Sequence, residues 1–206
     1  MRAFVRTVLL HVFPGIHAAA DIGILLRIWV GSTLTVGAIA LLDKYLGSST
    51  GLPLIMGPFG ASAVLCFATP QSPFARPRSI LGGHVLSALA GVFCANCFST
   101  SLVLAAGCAV GTAIVLMLIT GTLHPPGGAT ALIAVTGGPA IAQLGYLYVL
   151  MPCLTGSLLL VAVSAFIKTC DRTCRLAGAC AVRDRTVLLR PRLRRRLHIL
   201  SRLHKD

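Results

Sequence analysis

Along the chain, apolar residues come in runs too long for an ordinary soluble helix, and Gly, Pro, Ser and Thr break them more often than charge does. A helix crossing a bilayer needs roughly 20 mostly apolar residues, because no water is there to satisfy its backbone. Ile28–Leu46, Ile80–Ser99, Leu102–Gly121 and Leu147–Ile167 meet that length. The first follows Arg27 and carries Asp43-Lys44 near its far end, while Ser99–Ser101 has the composition of a tight turn between the second and third. Gly82-Gly83, Gly91, Gly107 and Gly111 are small residues of the kind that let membrane helices approach closely. The pattern predicts an all-α, polytopic transmembrane helix bundle.

Two more apolar stretches are short and interrupted. Leu52–Ala68 contains Pro53, Gly57, Pro58 and Gly60, and His124–Val135 opens on His-Pro-Pro-Gly-Gly. From their glycines each offers about 8–10 helical residues, or about 12–15 Å, roughly half of a ~30 Å hydrocarbon core. Each is therefore expected to be a half-helix packed inside protein or lining a cavity.

The two stretches also align with each other. Gly57-Pro58-Phe59-Gly60-Ala61-Ser62-Ala63-Val64-Leu65 lies over residues 125–133 at a constant offset, pairing Pro58 with Pro126, Gly60 with Gly128, Ser62 with Thr130 and Ala63 with Ala131. The same offset carries 80–99 onto 148–167, and 28–46 matches 102–121 once a short gap is allowed. The chain is expected to hold an internal repeat, each half reading long helix, half-helix, long helix (about 27–99 and 102–167). Paired Gly/Pro-broken segments in two halves are the best sequence pointer to a transporter's binding site. A helix starting inside the membrane leaves its first N–H groups unsatisfied at a positive dipole end, and an anion answers both needs. The expected binding residues are therefore Gly60, Ala61, Ser62, His124, Gly127, Gly128, Ala129 and Thr130. Tight helix packing is the competing role for these glycines and prolines.

Composition agrees with a membrane protein. Of 206 residues 56% are hydrophobic and only 11% charged, against about a quarter charged in soluble domains. The formal charge of +13 is unevenly placed: residues 168–206 carry a net +9, and Arg76 and Arg78 are the only charged residues from Tyr45 to Ile167. Pooled, that charge would suggest nucleic acid; mapped, it describes a membrane domain (27–167) with a basic tail (168–206). Beyond Pro191, Leu193, Leu197 and Leu200 line one side of an amphipathic pattern whose arginines suit anionic headgroups. Nothing in the tail supplies base-reading or stacking residues, so no nucleic-acid partner is expected. Lys/Arg placement puts the tail on the cytoplasmic side, and an even number of crossings, four or six, would put the N-terminus there too. If the short segments cross fully the repeats are inverted, and if they re-enter they are parallel. The host membrane is expected to be a bacterial inner membrane. Arg2 and Arg6 before Val8–Phe13, with Ala18-Ala19-Ala20 after it, imitate a signal peptide. His11 and Pro14 break that run, however, so residues 1–26 are taken as an interfacial segment.

The run His124-Pro125-Pro126-Gly127-Gly128-Ala129-Thr130-Ala131-Leu132 closely resembles the signature of the HPP family of integral membrane proteins. Gly57–Leu65, then Ala68-Thr69-Pro70, Ser72-Pro73, Ala75-Arg76-Pro77-Arg78 and Gly82-Gly83-His84, resemble its other block. The resemblance covers roughly 25–167. It implies a four-span body and, from plant chloroplast and cyanobacterial relatives linked to nitrite, an anion route. Some bacterial relatives carry C-terminal CBS modules where this chain has its basic tail, so that regulation is not expected to transfer.

His84 and His124 are the only histidines of the membrane body. An ionisable group inside a membrane is a functional candidate, and imidazole exchanges protons near neutrality. The competing role is a neutral histidine bridging two helices. Arg76 and Arg78 suit a pore mouth or a headgroup anchor, and with His84 they are auxiliary candidates. Of eight cysteines, five lie in apolar segments as small hydrophobes; Cys94-x-x-Cys97 lacks a partner pair, so no metal is expected. Cys170, Cys174 and Cys180 lie among basic residues that favour thiolate. No cofactor or ATP-binding motif is found. The expectation is a passive or proton-coupled transporter or channel for a small inorganic anion, nitrite by resemblance, acting as a homo-oligomer. A non-transporting scaffold with a lipid- or partner-binding tail is the alternative. An intramembrane enzyme is disfavoured because the chain has no Glu, and no Asp lies between residues 44 and 170.

Overall fold

The computed structural model describes residues 22–47 and 55–170, and these are helical with short turns. In order they form α1 (Ile22–Leu42), extended by a π-turn at Asp43–Gly47; α2 (Gly57–Ala68); a 3₁₀ turn at Pro73–Ala75; α3 (Pro77–Cys97); α4 (Leu102–Ile119); α5 (Pro126–Thr136); and α6 (Gly138–Leu144). The last span, α7, covers Val149–Cys170. The packed body ends at Ser164, and Ala165 begins a second unit, helical as far as Cys170, in which Thr169 donates to the Ala165 carbonyl at 2.9 Å. Of the expected interfacial segment (1–26) residues 22–26 belong to α1, and of the expected tail (168–206) residues 168–170 end α7; the rest of both, with Cys174 and Cys180, lies outside the described residues.

Among the described residues four helices are long and apolar enough to cross a membrane: 23–45, α3, α4 and α7. The first starts earlier than its charge pattern suggested, so Arg27 lies inside α1 instead of flanking it. A long arginine near a helix end can reach back to the interface and keep its head in water. The half-helix α2 has only 12 residues. After α5 the chain bends by 98° into α6, a continuation the residue pattern did not indicate. Gly138, at φ +75, makes that bend. Among the described residues the candidate spans are therefore four, or five if the bent pair counts as one span.

Local chemistry accounts for the helix ends. Ser101 accepts from the Leu104 N–H at 3.4 Å and caps α4, which confirms the expected Ser/Thr turn. At the other end Gly121 adopts φ +64, so the Gly121 and Thr122 N–H groups reach the Leu118 and Met117 carbonyls at 3.2 and 2.9 Å. That reversal needs a left-handed residue, which glycine supplies without a Cβ clash. Pro77 opens α3 where an N–H would have had no partner. The Asp43 carboxylate accepts from the Ile55 N–H at 3.2 Å.

The centre of the body is α3, with half of its spanning window buried against 17% for α1. Small residues make the contact possible. Ala105, Ala109, Ala113 and Met117 form the buried stripe of α4, and the last three make one core with Ala90, Cys94 and Ala131. The other core joins Ile39, Phe59, Ile80, Val92, Tyr148 and Leu160. Large residues on the far side of α4, such as Val103 and Ile119, are exposed, as a lipid-facing surface requires. Among the described residues no buried side-chain polar atom lacks a hydrogen-bond partner.

Candidate functional site

The N-terminal ends of α2 and α5 meet α3 in the middle of the body, and the meeting is made by four polar side chains. Ser62 and Thr130 occupy equivalent places in the second turns of α2 and α5, each hydroxyl within reach of its own helix's proline carbonyl, Pro58 at 3.0 Å and Pro126 at 3.4 Å. His84 comes from α3, and His124 from the turn ahead of α5. The Ser62 hydroxyl stands 2.7 Å from Nε2 of His124 and 3.0 Å from Nε2 of His84. Nδ1 of His84 is 2.7 Å from the Thr130 hydroxyl, and Nδ1 of His124 is 2.8 Å from the Phe74 carbonyl oxygen. All four side chains are fully buried. The result is an unbroken polar chain from Thr130 through His84, Ser62 and His124 to the turn before α3.

Packing holds the chain rigidly. The two imidazoles meet edge to face with centroids 5.0 Å apart, and the Phe59 ring meets His84 the same way at 5.2 Å. Gly83 is required beside them: a Cβ there would lie 2.5 Å from the His124 Cβ. Gly156 gives the Phe59 ring its place. The Tyr148 hydroxyl donates to the Thr130 carbonyl at 2.9 Å and holds the helix turn that carries the Thr130 side chain. Tyr148→Phe should therefore lower thermal stability by about 0.5–1.5 kcal/mol, the usual net worth of such a bond. A thermal melt of the purified protein in detergent measures it.

The structure sorts the residues expected to bind ligand. It brings Ser62, His124 and Thr130 together and adds His84, which the residue pattern ranked only as auxiliary. It separates off Gly60, Ala61 and Ala129, which are exposed on the outer faces of α2 and α5. The reason is the 3.6-residue period: with Pro58, Ser62 and Cys66 turned inward, Gly60 and Ala61 must turn away. Gly128 is half-buried with Val110 at 3.9 Å from a notional Cβ, so its open side does not face the polar centre. Gly127 is buried, but against protein: a Cβ there would meet Ser87 Oγ at 2.6 Å and the Gly83 carbonyl at 2.9 Å.

The helix-start amides are also less available than the half-helix pattern suggested. The Phe59 N–H bonds the Met56 carbonyl at 3.0 Å, and the Gly127 and Gly128 N–H groups bond His124 and Pro125 carbonyls at 2.8 and 3.0 Å. Tight turns ahead of each helix supply these acceptors, and Pro58 and Pro126 have no N–H to offer. What converges at the centre is therefore side-chain chemistry. Arg76 and Arg78 are exposed near the turn that supplies the Phe74 carbonyl, and Arg78 donates to the Thr120 carbonyl at 2.8 Å, at the end of α4. Residue patterns missed Phe74, whose contribution is a backbone oxygen, and Tyr148. They also missed Ser87, although it lies one turn beyond Gly83-His84 on the buried face of α3.

Several apolar spans wrapped round a fully buried, fully bonded polar cluster define an integral membrane protein. The chain belongs to the HPP family: residues 17–175 match its transmembrane region. It is similar to two transmembrane proteins of Dictyostelium discoideum, 33% and 35% identical over 147 residues. Those residues are 70% of this chain but 51% and 47% of the relatives, so the chain spans about half the length of the curated proteins it matches. No solved structure matches it.

Proposed function

We propose that this protein is a transporter or channel for a small inorganic anion, not an enzyme, with nitrite the substrate that the family resemblance suggests. One observation carries the reading. Two half-helices too short to cross the membrane bring a hydroxyl each to a pair of buried imidazoles, and ionisable groups at such depth mark substrate or proton routes. The arrangement is a closed one, because the space between the helix starts is filled by His84, His124 and Phe59. Passage therefore requires α2 and α5 to move apart, which exposes the Ser62 and Thr130 hydroxyls as anion donors. Exposed Arg76 and Arg78 would raise the local anion concentration at the mouth. The termini are placed in the cytoplasm, the basic tail on anionic headgroups, and the assembly is a homo-oligomer.

An uptake panel on purified protein in liposomes tests this. Vesicles containing the protein should accumulate nitrite, or another small anion of the panel such as nitrate, chloride or formate, faster than empty vesicles. Rates no faster than those of empty vesicles for every anion of the panel would overturn the proposal.

A further inference from the structure

We propose that Thr130, His84, Ser62 and His124 form a proton relay of fixed polarity, in which the charge of His124 and the tautomer of His84 are locked together through Ser62. The inference deepens the transport reading, on which it rests, by supplying the proton as coupling ion. The polarity follows from one group that has no choice. The Phe74 carbonyl can only accept, so Nδ1 of His124, 2.8 Å away, carries a hydrogen. With His124 neutral, its Nε2 presents a lone pair to Ser62 at 2.7 Å, and the serine must donate. A hydroxyl has one hydrogen, so Ser62 faces Nε2 of His84 at 3.0 Å as acceptor, and His84 must donate there. Its Nδ1 is then bare and accepts from the Thr130 hydroxyl at 2.7 Å. Every bond points the same way, from Thr130 towards Phe74, with both tautomers assigned from the partners.

A proton delivered to the Thr130 oxygen travels without leaving charge behind. Thr130 passes its original hydrogen to Nδ1 of His84, whose Nε2 hydrogen moves to the Ser62 oxygen. Ser62 passes its own hydrogen to Nε2 of His124. One proton has been gained, His124 is an imidazolium, and His84 is neutral in the opposite tautomer. Ser62 now donates to His84, and the Thr130 hydroxyl turns to the Pro126 carbonyl, already 3.4 Å away. The Nδ1 hydrogen of His124 stays in its bond to the Phe74 carbonyl throughout, and the gained proton leaves by the same steps run in reverse.

The rival static arrangement has Ser62 donating to its own Pro58 carbonyl at 3.0 Å. Nε2 of His124 would then need a permanent hydrogen, making that histidine a lasting cation. Among the described residues no neighbour balances such a charge. The titratable groups nearby are Cys66 on α2, Tyr148 and Cys153 behind Thr130, and the exposed cations Arg76 and Arg78. Among the described residues Asp43 is the only carboxylate, and it bonds the Ile55 N–H.

Nitrogen NMR on histidine-labelled full-length protein in lipid bilayers reads both rings directly, with His11, His17, His198 and His204 replaced by Gln. The expected result is a neutral His124 bearing its hydrogen on Nδ1 and a neutral His84 bearing it on Nε2. As the pH falls, His124 should become imidazolium at the same midpoint at which His84 changes tautomer. Ser62→Ala should leave the His84 tautomer indifferent to the charge on His124, and Ser62→Thr should restore the coupling. A His84 tautomer that stays put while His124 titrates, or a His124 cationic throughout, would overturn the relay, and spectra of the protein with Ser62 intact alone suffice to show either. Coupled tautomers in a protein that moves no anion would sink the transport reading and leave the relay standing. Uptake with uncoupled rings would do the reverse.

Discussion

Gly91→Val is expected to cost the protein more stability than any single change to its polar centre. Gly91 lies where α3 crosses α5, and a Cβ there would stand 2.5 Å from the Ala131 carbonyl oxygen and 2.6 Å from the Ala134 Cβ. The first obstacle is backbone, which cannot swing aside as a side chain can. Relief therefore requires α5 to shift, and α5 carries Thr130. Forcing bulk into a packed core costs about 1–3 kcal/mol even where neighbours can adjust, so a value at or above the top of that range is expected. Gly107→Val provides the control: no atom lies within 4 Å of a Cβ at that position on the exposed face of α4. Thermal melts of both variants in the same detergent make the comparison, and equal losses would show that the close α3–α5 crossing is not what requires glycine at 91.

Thr130→Val is expected to lower anion uptake by about tenfold to a hundredfold with little loss of folded protein. The change keeps shape and volume but removes the hydroxyl that faces Nδ1 of His84 at 2.7 Å. Leaving one buried polar group without its partner costs about 1–3 kcal/mol, and if the transport barrier bears that cost the rate falls by the corresponding factor. Thr130→Ser, which retains the hydroxyl, should recover most of the lost rate. If valine and serine variants transport alike, Thr130 serves packing alone. The chemistry of Thr130 and the geometry of Gly91 thus fail in different assays, although both residues bear on the same helix.

Much of the architecture was legible in the residue order. Run lengths marked the four spans to within a few residues at most ends, because the need to satisfy every backbone group in lipid acts locally. The all-α bundle and its close, small-residue packing followed from the same reading. The likeness of residues 57–65 to 125–133 picked out Ser62 and Thr130 as equivalent positions, and both occupy the polar centre. Less of the site was legible. Gly60, Ala61 and Ala129 shared a motif with Ser62 and Thr130, yet a helix turns about 100° per residue, so neighbours in a motif face different ways.

The residue order by itself determined that this chain lives in a membrane, where it crosses, and which two short helices start inside the protein. Those properties depend on hydrophobicity and length, which sum over neighbouring residues. Only the tertiary structure decided that His84, rather than the helix-start amides, joins α2 to α5, and that a carbonyl 50 residues away orients His124. Hydrogen bonds demand positions correct to a few tenths of an ångström, and such positions are set by how helices distant in sequence pack together.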